Sequence, residues 1–245
     1  MSNSALLLFI TLVLVAVMWL LALRRIVVVD GANKGLAISG ALTMVALFVV
    51  DSALGMSGVL GRFERVPPNV AFFMFAHFAL AAGIAFSRLG TTLMQALSYR
   101  ALVGFQAFRI PTEVMIALGV AEGIAPPQLS FHGYNMDLVP AVLAALLFLS
   151  GRENRKLVLA WNGLGWITLG NIFFIAMTSF PVPFRVFMNE PTNIWVTRFP
   201  YVLLPGVLVT SAVTGHLLVT RKLRAETRAP VTPHALPSSA ARQPS

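Results

Sequence analysis

The sequence predicts an all-α integral membrane protein: one bundle of seven transmembrane helices, with its N-terminus outside and its C-terminus inside. Three observations lead to this prediction, namely a very apolar composition, seven apolar runs of helical length, and an uneven distribution of Arg and Lys. Of the 245 residues, 57% are hydrophobic and 11% are charged, whereas soluble chains carry about 25% charged residues. The composition excludes a water-soluble core and a large domain outside the membrane.

The seven apolar runs are separated by short segments that contain Arg, Lys, Pro and Asn. A helix needs about 20 apolar residues to cross the hydrocarbon. The runs cover residues 4–23, 36–56, 69–88, 98–121, 138–150, 157–179 and 199–220. The fifth run is short, so we expect it to recruit residues 133–137 or to be tilted at a thin point. Prolines among Ser and Ala after residue 224 predict a transmembrane domain of residues 1–224 and a disordered cytoplasmic tail of residues 225–245.

The positive residues decide the number of crossings and their direction. With the N-terminus outside, 13 Arg and Lys residues fall in inner segments and 4 in outer segments, as expected because positive residues are retained in the cytoplasm. Omitting the fifth run would destroy this asymmetry. Arg24 and Arg25 follow the first run, which favours an anchored helix over a cleaved signal peptide. The same rule explains the net charge of +9, and no basic soluble module for nucleic acid is present.

Four ionisable residues interrupt the apolar runs, at a cost of about 2.5–3.5 kcal/mol each in hydrocarbon. They are Asp51, His77, Arg109 and Glu113, and a second group contains Gln106, Asn162, Asn171 and His216. Arg109 and Glu113 are four residues apart, so they share a helix face and are expected to pair. Pro111 between them lacks an amide hydrogen and favours a kink. Such a pair either only fixes the packing of the helices or forms part of a polar pocket.

The depth of the polar residues suggests where a ligand would bind. Counted along the helical rise, Asp51, His77, Glu113 and Asn171 share a layer roughly 8–12 Å below the outer surface. Two acids, an imidazole and an amide at one level on four helices predict a polar cavity that opens outward. Arg109 would line the same cavity.

The two longest outer loops, residues 125–137 and 180–195, are rich in proline and aromatic residues. Under one interpretation these loops only tie helices together. Under the other they form a lid, because binding residues often lie on loops. The residues that would touch a ligand are His132, Tyr134, Asn135, Arg185 and Glu190.

The sequence predicts no cofactor. A bis-histidine haem needs two imidazoles at one depth, but His77 and His216 lie in opposite halves of the membrane. Retinal needs a lysine within a span, and all three lysines lie in inner segments. The chain has no cysteine, which excludes disulfides and iron–sulfur clusters.

A metal site is harder to exclude from the sequence. His77 with Asp51 and Glu113, or His132 with Asp137, offers nitrogen and oxygen ligands of the kind that zinc binds. No paired-histidine spacing supports either set.

Four sequence blocks resemble segments of an uncharacterised family of bacterial multi-pass inner-membrane proteins. The blocks are residues 108–113, residues 130–137, Trp161 and Asn162 with residues 170–172, and residues 181–193. The resemblance covers the second half of the chain. It implies a bacterial inner membrane and nothing about mechanism.

Three kinds of function fit these observations. The first is a non-enzymatic protein that binds or moves a small or lipid-like ligand through the outward cavity. The second is an enzyme acting on a lipid or isoprenoid, with Glu113 or His77 as general base and Arg109 holding a headgroup. The third is a structural or assembly subunit of a membrane complex. The absence of a convincing internal repeat weakens the carrier form of the first.

Overall fold

The computed structural model describes residues 1–29 and 31–228, and within these residues the protein is helical, with no strand. The helices of this part are α1 (Asn3–Val29), α2 (Lys34–Ser57), α3 (Asn69–Phe86), α4 (Arg88–Ala96), α5 (Tyr99–Phe105), α6 (Arg109–Ala121), α7 (Leu138–Ser150), α8 (Arg155–Thr178) and α9 (Val209–Arg228). A 3₁₀ turn, Gln106–Phe108, joins α5 to α6, and a π-helical segment, Leu204–Leu208, leads into α9. The prediction of an all-α protein is confirmed.

Five helical runs are long and apolar enough to cross a membrane, as expected of an integral membrane protein. They are α1, α2, α3, the combined run Tyr99–Ala121 and α8. Apolar side chains on their outer faces, such as Val13, Leu20 and Leu42, are more than half exposed, which suits helices surrounded by lipid. The fifth predicted run forms α7, which is apolar but has only 13 residues.

Local sequence explains where the helices begin and end. Ser98 caps α5 by accepting a hydrogen bond from the Ala101 amide at 3.2 Å, and Gly151 ends α7 with a left-handed backbone, φ 65°. The distortion expected near Pro111 appears one turn earlier, as the 3₁₀ turn before α6. Pro111 therefore lies in the first turn of α6, where a missing amide hydrogen has little cost.

Two features were not predicted. The connection after the third run contains α4, a nine-residue helix whose first turn is capped by Ser87. Helix α9 continues to Arg228, four residues beyond the predicted end of the transmembrane domain. The remainder of the predicted tail lies outside the described residues.

Helix α9 lies at the centre of the bundle and packs against α3, α4, α5 and α8. Helix α1 packs against α2, α4 and α6, and α7 packs against α5, α6 and α8. Because α9 is surrounded by protein, it carries buried polar residues, including Thr210, Thr214 and His216. In that position His216 meets the polar residues of α6 and α8.

Candidate functional site

Arg109, at the start of α6, is 2% exposed and pairs with Asp137, the residue before α7. Its Nε donates to Asp137 Oδ2 at 2.7 Å, and its Nη2 donates to the other carboxylate oxygen and to Thr168 Oγ1 of α8. Its Nη1 lies 3.1 Å from His216 Nε2 of α9. The guanidinium thus pairs with Asp137 and not with Glu113, which corrects the expectation from spacing. A carboxylate on a facing element accepts both donors of the fork, a geometry that favours arginine.

Glu113 lies one turn further along α6 and is bound by an amide. Both of its carboxyl oxygens accept from Asn135 Nδ2 at 2.8 Å. The same Nδ2 donates to the Leu129 carbonyl at 2.9 Å, and Asn135 Oδ1 accepts from the Asp137 amide at 2.9 Å. Asn135 therefore connects the Glu113 side chain to the backbone of Asp137, and all three residues are buried.

The contacts of His216 assign its ring proton. A guanidinium has only donors, so Nε2 accepts from Arg109 and the proton lies on Nδ1. Nδ1 then donates to Asn162 Oδ1 at 2.8 Å, and Asn162 Nδ2 donates to Thr220 Oγ1 at 2.8 Å. The Trp161 ring stacks on the imidazole with centroids 4.9 Å apart.

These bonds form one continuous buried network across α6, α7, α8 and α9. In order it contains Glu113, Asn135, Asp137, Arg109, His216, Asn162 and Thr220. The arginine and asparagine side chains keep fixed roles in the network, because their N–H groups can only donate and the asparagine carbonyl oxygen can only accept. The network therefore links α6, α8 and α9 to Asp137, the residue before α7.

A second buried polar pair lies between α2 and α3. Asp51 is 1% exposed, and its two oxygens lie 3.1 and 3.3 Å from His77 Nε2. His77 Nδ1 bonds the Phe73 carbonyl at 2.8 Å, and because a carbonyl only accepts, Nδ1 carries a proton. A hydrogen bond between Nε2 and an Asp51 oxygen needs a second proton, carried by one of these two atoms. No group of three potential metal ligands occurs among residues 1–29 and 31–228.

Gly206 allows Asp51 to pack against the π-helical segment. A Cβ atom at Gly206 would overlap the Asp51 carboxyl group and would lie 3.3 Å from the Phe73 ring. Next to Gly206, Leu204 and Pro205 line a cavity on the side of α3 and α8. The π-helical segment therefore contacts both the buried pair and the cavity.

Replacing Asp51 with Ala is expected to destabilise the protein by about 1–3 kcal/mol, because the buried His77 ring loses its partner. Asp51→Asn is expected to cost less, since its amide can donate to Nε2 of a neutral imidazole. The melting temperatures of the two variants in detergent would show this order. Equal melting temperatures would mean that the bond between Asp51 and His77 adds no stability.

The residues predicted to share one outward cavity are divided by the structure. It brings Asp51 and His77 together, but Glu113 bonds Asn135, and half-buried Asn171 donates to the Tyr134 carbonyl at 2.8 Å. The structure has a pocket between the loops of residues 125–137 and 180–195 and an apolar cavity between α3 and α8. Neither is lined by any of the predicted membrane residues, which are Asp51, His77, Arg109, Glu113 and Asn171. Each of these ionisable side chains has a hydrogen-bond partner, because burial of a polar group without one is costly.

Two of the predicted lid residues line a pocket between the loops of residues 125–137 and 180–195. His132 and Tyr134 are exposed, and with Gln128, Asn189 and their neighbours they enclose about 500 Å³. Gln128 closes the base of this pocket, since its Nε2 donates to Ser179 Oγ and its Oε1 accepts from Asn189 Nδ2, both at 2.8 Å. Gln128 thus joins the loop of residues 125–137 to the end of α8 and to the loop of residues 180–195.

The other lid residues bond within the protein. Arg185 donates to the backbone carbonyls of Phe187 and Asn189, each at 2.6 Å, and lies 3.3 Å from Glu190. These bonds fix the conformation of the loop that contains Arg185. Asn135 is buried and belongs to the hydrogen-bond network of Glu113 and Arg109.

A largely apolar cavity of about 240 Å³ lies between α3, α8 and the segment that leads into α9. Met74 and Phe78 of α3 form one wall, and Leu169 and Phe173 of α8 form the other. The rings of Phe78 and Phe173 meet edge to face with centroids 5.1 Å apart. Gly170 also lines this cavity, and a Cβ atom there would meet nothing within 4 Å.

Three lining side chains carry a polar atom: Trp166, Asn193 and Trp195. Trp166 Nε1 donates to Thr220 Oγ1 at 3.3 Å, whereas Asn193 and Trp195 each have an unpaired buried atom. Asn193 is 1% exposed and Trp195 is 6% exposed. Asn193 Nδ2 donates to the Ala176 carbonyl at 3.0 Å, which fixes the orientation of the amide and leaves Oδ1 as the free acceptor. Neither Asn193 Oδ1 nor Trp195 Nε1 has a hydrogen-bond partner within the described part of the chain. An unpaired buried group costs about 1–3 kcal/mol.

The sequence analysis did not identify Asn193 or Trp195 as a binding residue. Asn193 is the last residue of the block 181–193 and lies in a turn, and Trp195 begins the 3₁₀ turn Trp195–Thr197. Asn193 and Trp195 line a cavity only because α3, α8 and α9 are neighbours in the fold. Comparison with protein-family models, curated proteins and solved structures finds no match to this chain.

Proposed function

We propose that this protein binds a lipid-like ligand, mostly apolar with one polar group, in the cavity between α3, α8 and α9. The observation that carries the proposal is the coincidence of an apolar cavity with two buried, unpaired polar atoms, Asn193 Oδ1 and Trp195 Nε1. Ligand pockets in proteins are mainly apolar with a few placed polar groups.

The chemistry of the two unpaired atoms suggests the polar group of the ligand. Asn193 Oδ1 needs a donor, whereas Trp195 Nε1 needs an acceptor. A hydroxyl group supplies both at once. A long-chain or isoprenoid alcohol therefore fits the lining better than a hydrocarbon or a charged molecule.

Binding is favoured over transport of a polar solute and over catalysis. The buried polar groups predicted to line the outward cavity are already bonded within the protein. Arg109 bonds Asp137, and Glu113 bonds Asn135. The cavity lining contains no Asp, Glu, His, Lys or Arg, so no general acid or base is at hand.

Filling the cavity is expected to abolish ligand binding. Gly170→Leu places a side chain in open space on the cavity wall without a backbone clash. Purified wild type should melt at a higher temperature with oleyl alcohol than with a hydrocarbon of the same chain length. Gly170→Leu should respond to neither.

Gly163→Leu is the matched control. Gly163 lies on the same helix, its Cβ position is also free within 4 Å, and it does not line the cavity. It should respond as wild type does. Trp195→Phe should keep a response to the hydrocarbon but lose the preference for the alcohol. A response of Gly170→Leu equal to that of Gly163→Leu would refute the proposal.

The proposal includes seven crossings in a bacterial inner membrane, with the N-terminus outside. Besides the five long apolar runs, α7 and the continuous helical run 204–228 supply two further crossings. The excess of positive residues in the inner segments supports this orientation. Because the chain has no cysteine, Tyr134→Cys and Arg155→Cys can be labelled singly in intact cells. An impermeant maleimide should label only the first, and labelling of both from outside would contradict the orientation.

A further inference from the structure

A groove of about 750 Å³ lies between α1 and α5. It shares no lining residue with the apolar cavity between α3, α8 and α9. The α1 residues that line it are Leu14, Met18, Trp19, Leu21, Ala22 and Arg25. All except Trp19 are spaced by three and four residues, which places them in one stripe along the helix. Helices α4 and α9 contribute residues to the base of the groove.

The opposite wall is also apolar and contains small residues. Ala101 and Gly104 of α5 line it together with the rings of Phe105 and Phe148. The polar lining residues Ser211 and Thr214 donate to carbonyls of their own helix, each at 2.8 Å. The groove therefore offers an apolar surface along most of its length.

Arg25 is the one charged side chain among the lining residues of this groove. It is exposed, and among residues 1–29 and 31–228 it has no hydrogen-bond or ion-pair partner. From Leu14 to Arg25 the helix rises about 16 Å, roughly half of the 30 Å hydrocarbon thickness. The stripe thus extends from mid-membrane to one surface.

We propose that this groove binds one acyl chain of an anionic phospholipid, whose phosphate lies on Arg25. The length of the stripe matches a single leaflet, and a guanidinium is well suited to a phosphate. Basic pockets between transmembrane helices bind anionic headgroups in the same manner. With the orientation proposed above, the lipid comes from the cytoplasmic leaflet.

The test compares phosphatidylglycerol with phosphatidylcholine of the same acyl chains, added to the purified protein in detergent. Phosphatidylglycerol is expected to raise the melting temperature of wild type more than phosphatidylcholine does. Arg25→Gln should lose this difference. Arg24→Gln removes the same charge from an adjacent exposed side chain that does not line the groove, so it should keep the difference.

Two further measurements separate a lipid from a simple anion. Glycerol phosphate, the soluble headgroup alone, should not stabilise the protein, and stabilisation equal to that by phosphatidylglycerol would overturn the role of the acyl chain. Ala22→Trp, which fills the groove, should reduce the number of phosphatidylglycerol molecules retained in native mass spectrometry. If that variant does not fold, the number of phosphatidylglycerol molecules retained by Arg25→Gln is compared with the number retained by Arg24→Gln. Equal retention by Arg25→Gln and Arg24→Gln would overturn the proposal.

Discussion

Replacing Arg109 with Met is expected to lower the free energy of unfolding by about 3–5 kcal/mol, because Asp137 would then be a buried and unpaired charge. Asp137 is 7% exposed, and its two oxygens both accept from Arg109. His216 Nε2 would lose its donor at the same time. A denaturation titration in mixed micelles would measure the loss.

The partner of Arg109 can be identified by a second substitution. Arg109→Met with Asp137→Leu removes both members of the pair, and apolar replacements of a buried pair are often close to neutral. This double variant should regain most of the lost stability. Arg109→Met with Glu113→Leu should not, since Glu113 bonds Asn135 instead. Recovery by the Glu113 combination would show that the pairing expected from spacing is the real one.

Gly165→Ala is expected to be the most damaging glycine substitution on α8. A Cβ atom there would overlap the His216 imidazole, whose position is set by bonds to Arg109 and Asn162. Overpacking of a core costs about 1–3 kcal/mol, more than the roughly 1 kcal/mol that Ala gains over Gly in a helix. The melting temperature should therefore fall.

Gly163→Ala is the control on the same helix. Its Cβ position is open, so only the helix preference of Ala acts and the melting temperature should stay or rise. His216→Ala in the Gly165→Ala background should cost less than His216→Ala in wild type, because the added methyl group then has space. Additive losses at the two positions would mean that they do not contact each other.

The two sets of buried polar residues have different consequences for function. The network through Arg109 ties α6, α7, α8 and α9 together, and its groups are engaged with one another. Asn193 and Trp195 instead leave polar atoms unpaired beside an apolar cavity. Under the proposed function, a ligand gains binding free energy by pairing such atoms, whereas the network stabilises the packing of the helices.

Several features of the site followed from the sequence, and others did not. Asp51 and His77 were placed at one depth by helical rise, and the structure brings them into contact. Gly163, Gly165 and Gly170 all lie on α8, yet only Gly165 has a neighbour within 4 Å of its Cβ position. Spacing along one helix does not tell which face meets protein and which meets lipid or a cavity.

By itself the sequence determined the class of the protein and where most of its helices lie. Hydropathy over about twenty residues, capping by Ser98 and the ending of α7 at Gly151 are local properties of the chain. The tertiary structure alone decided the partners. Arg109 meets Asp137 across 28 residues and His216 across 107, and such contacts depend on which helices are neighbours. In a membrane all spans are apolar, so apolarity cannot encode that order, and the polar side chains reveal their partners only after the helices have packed.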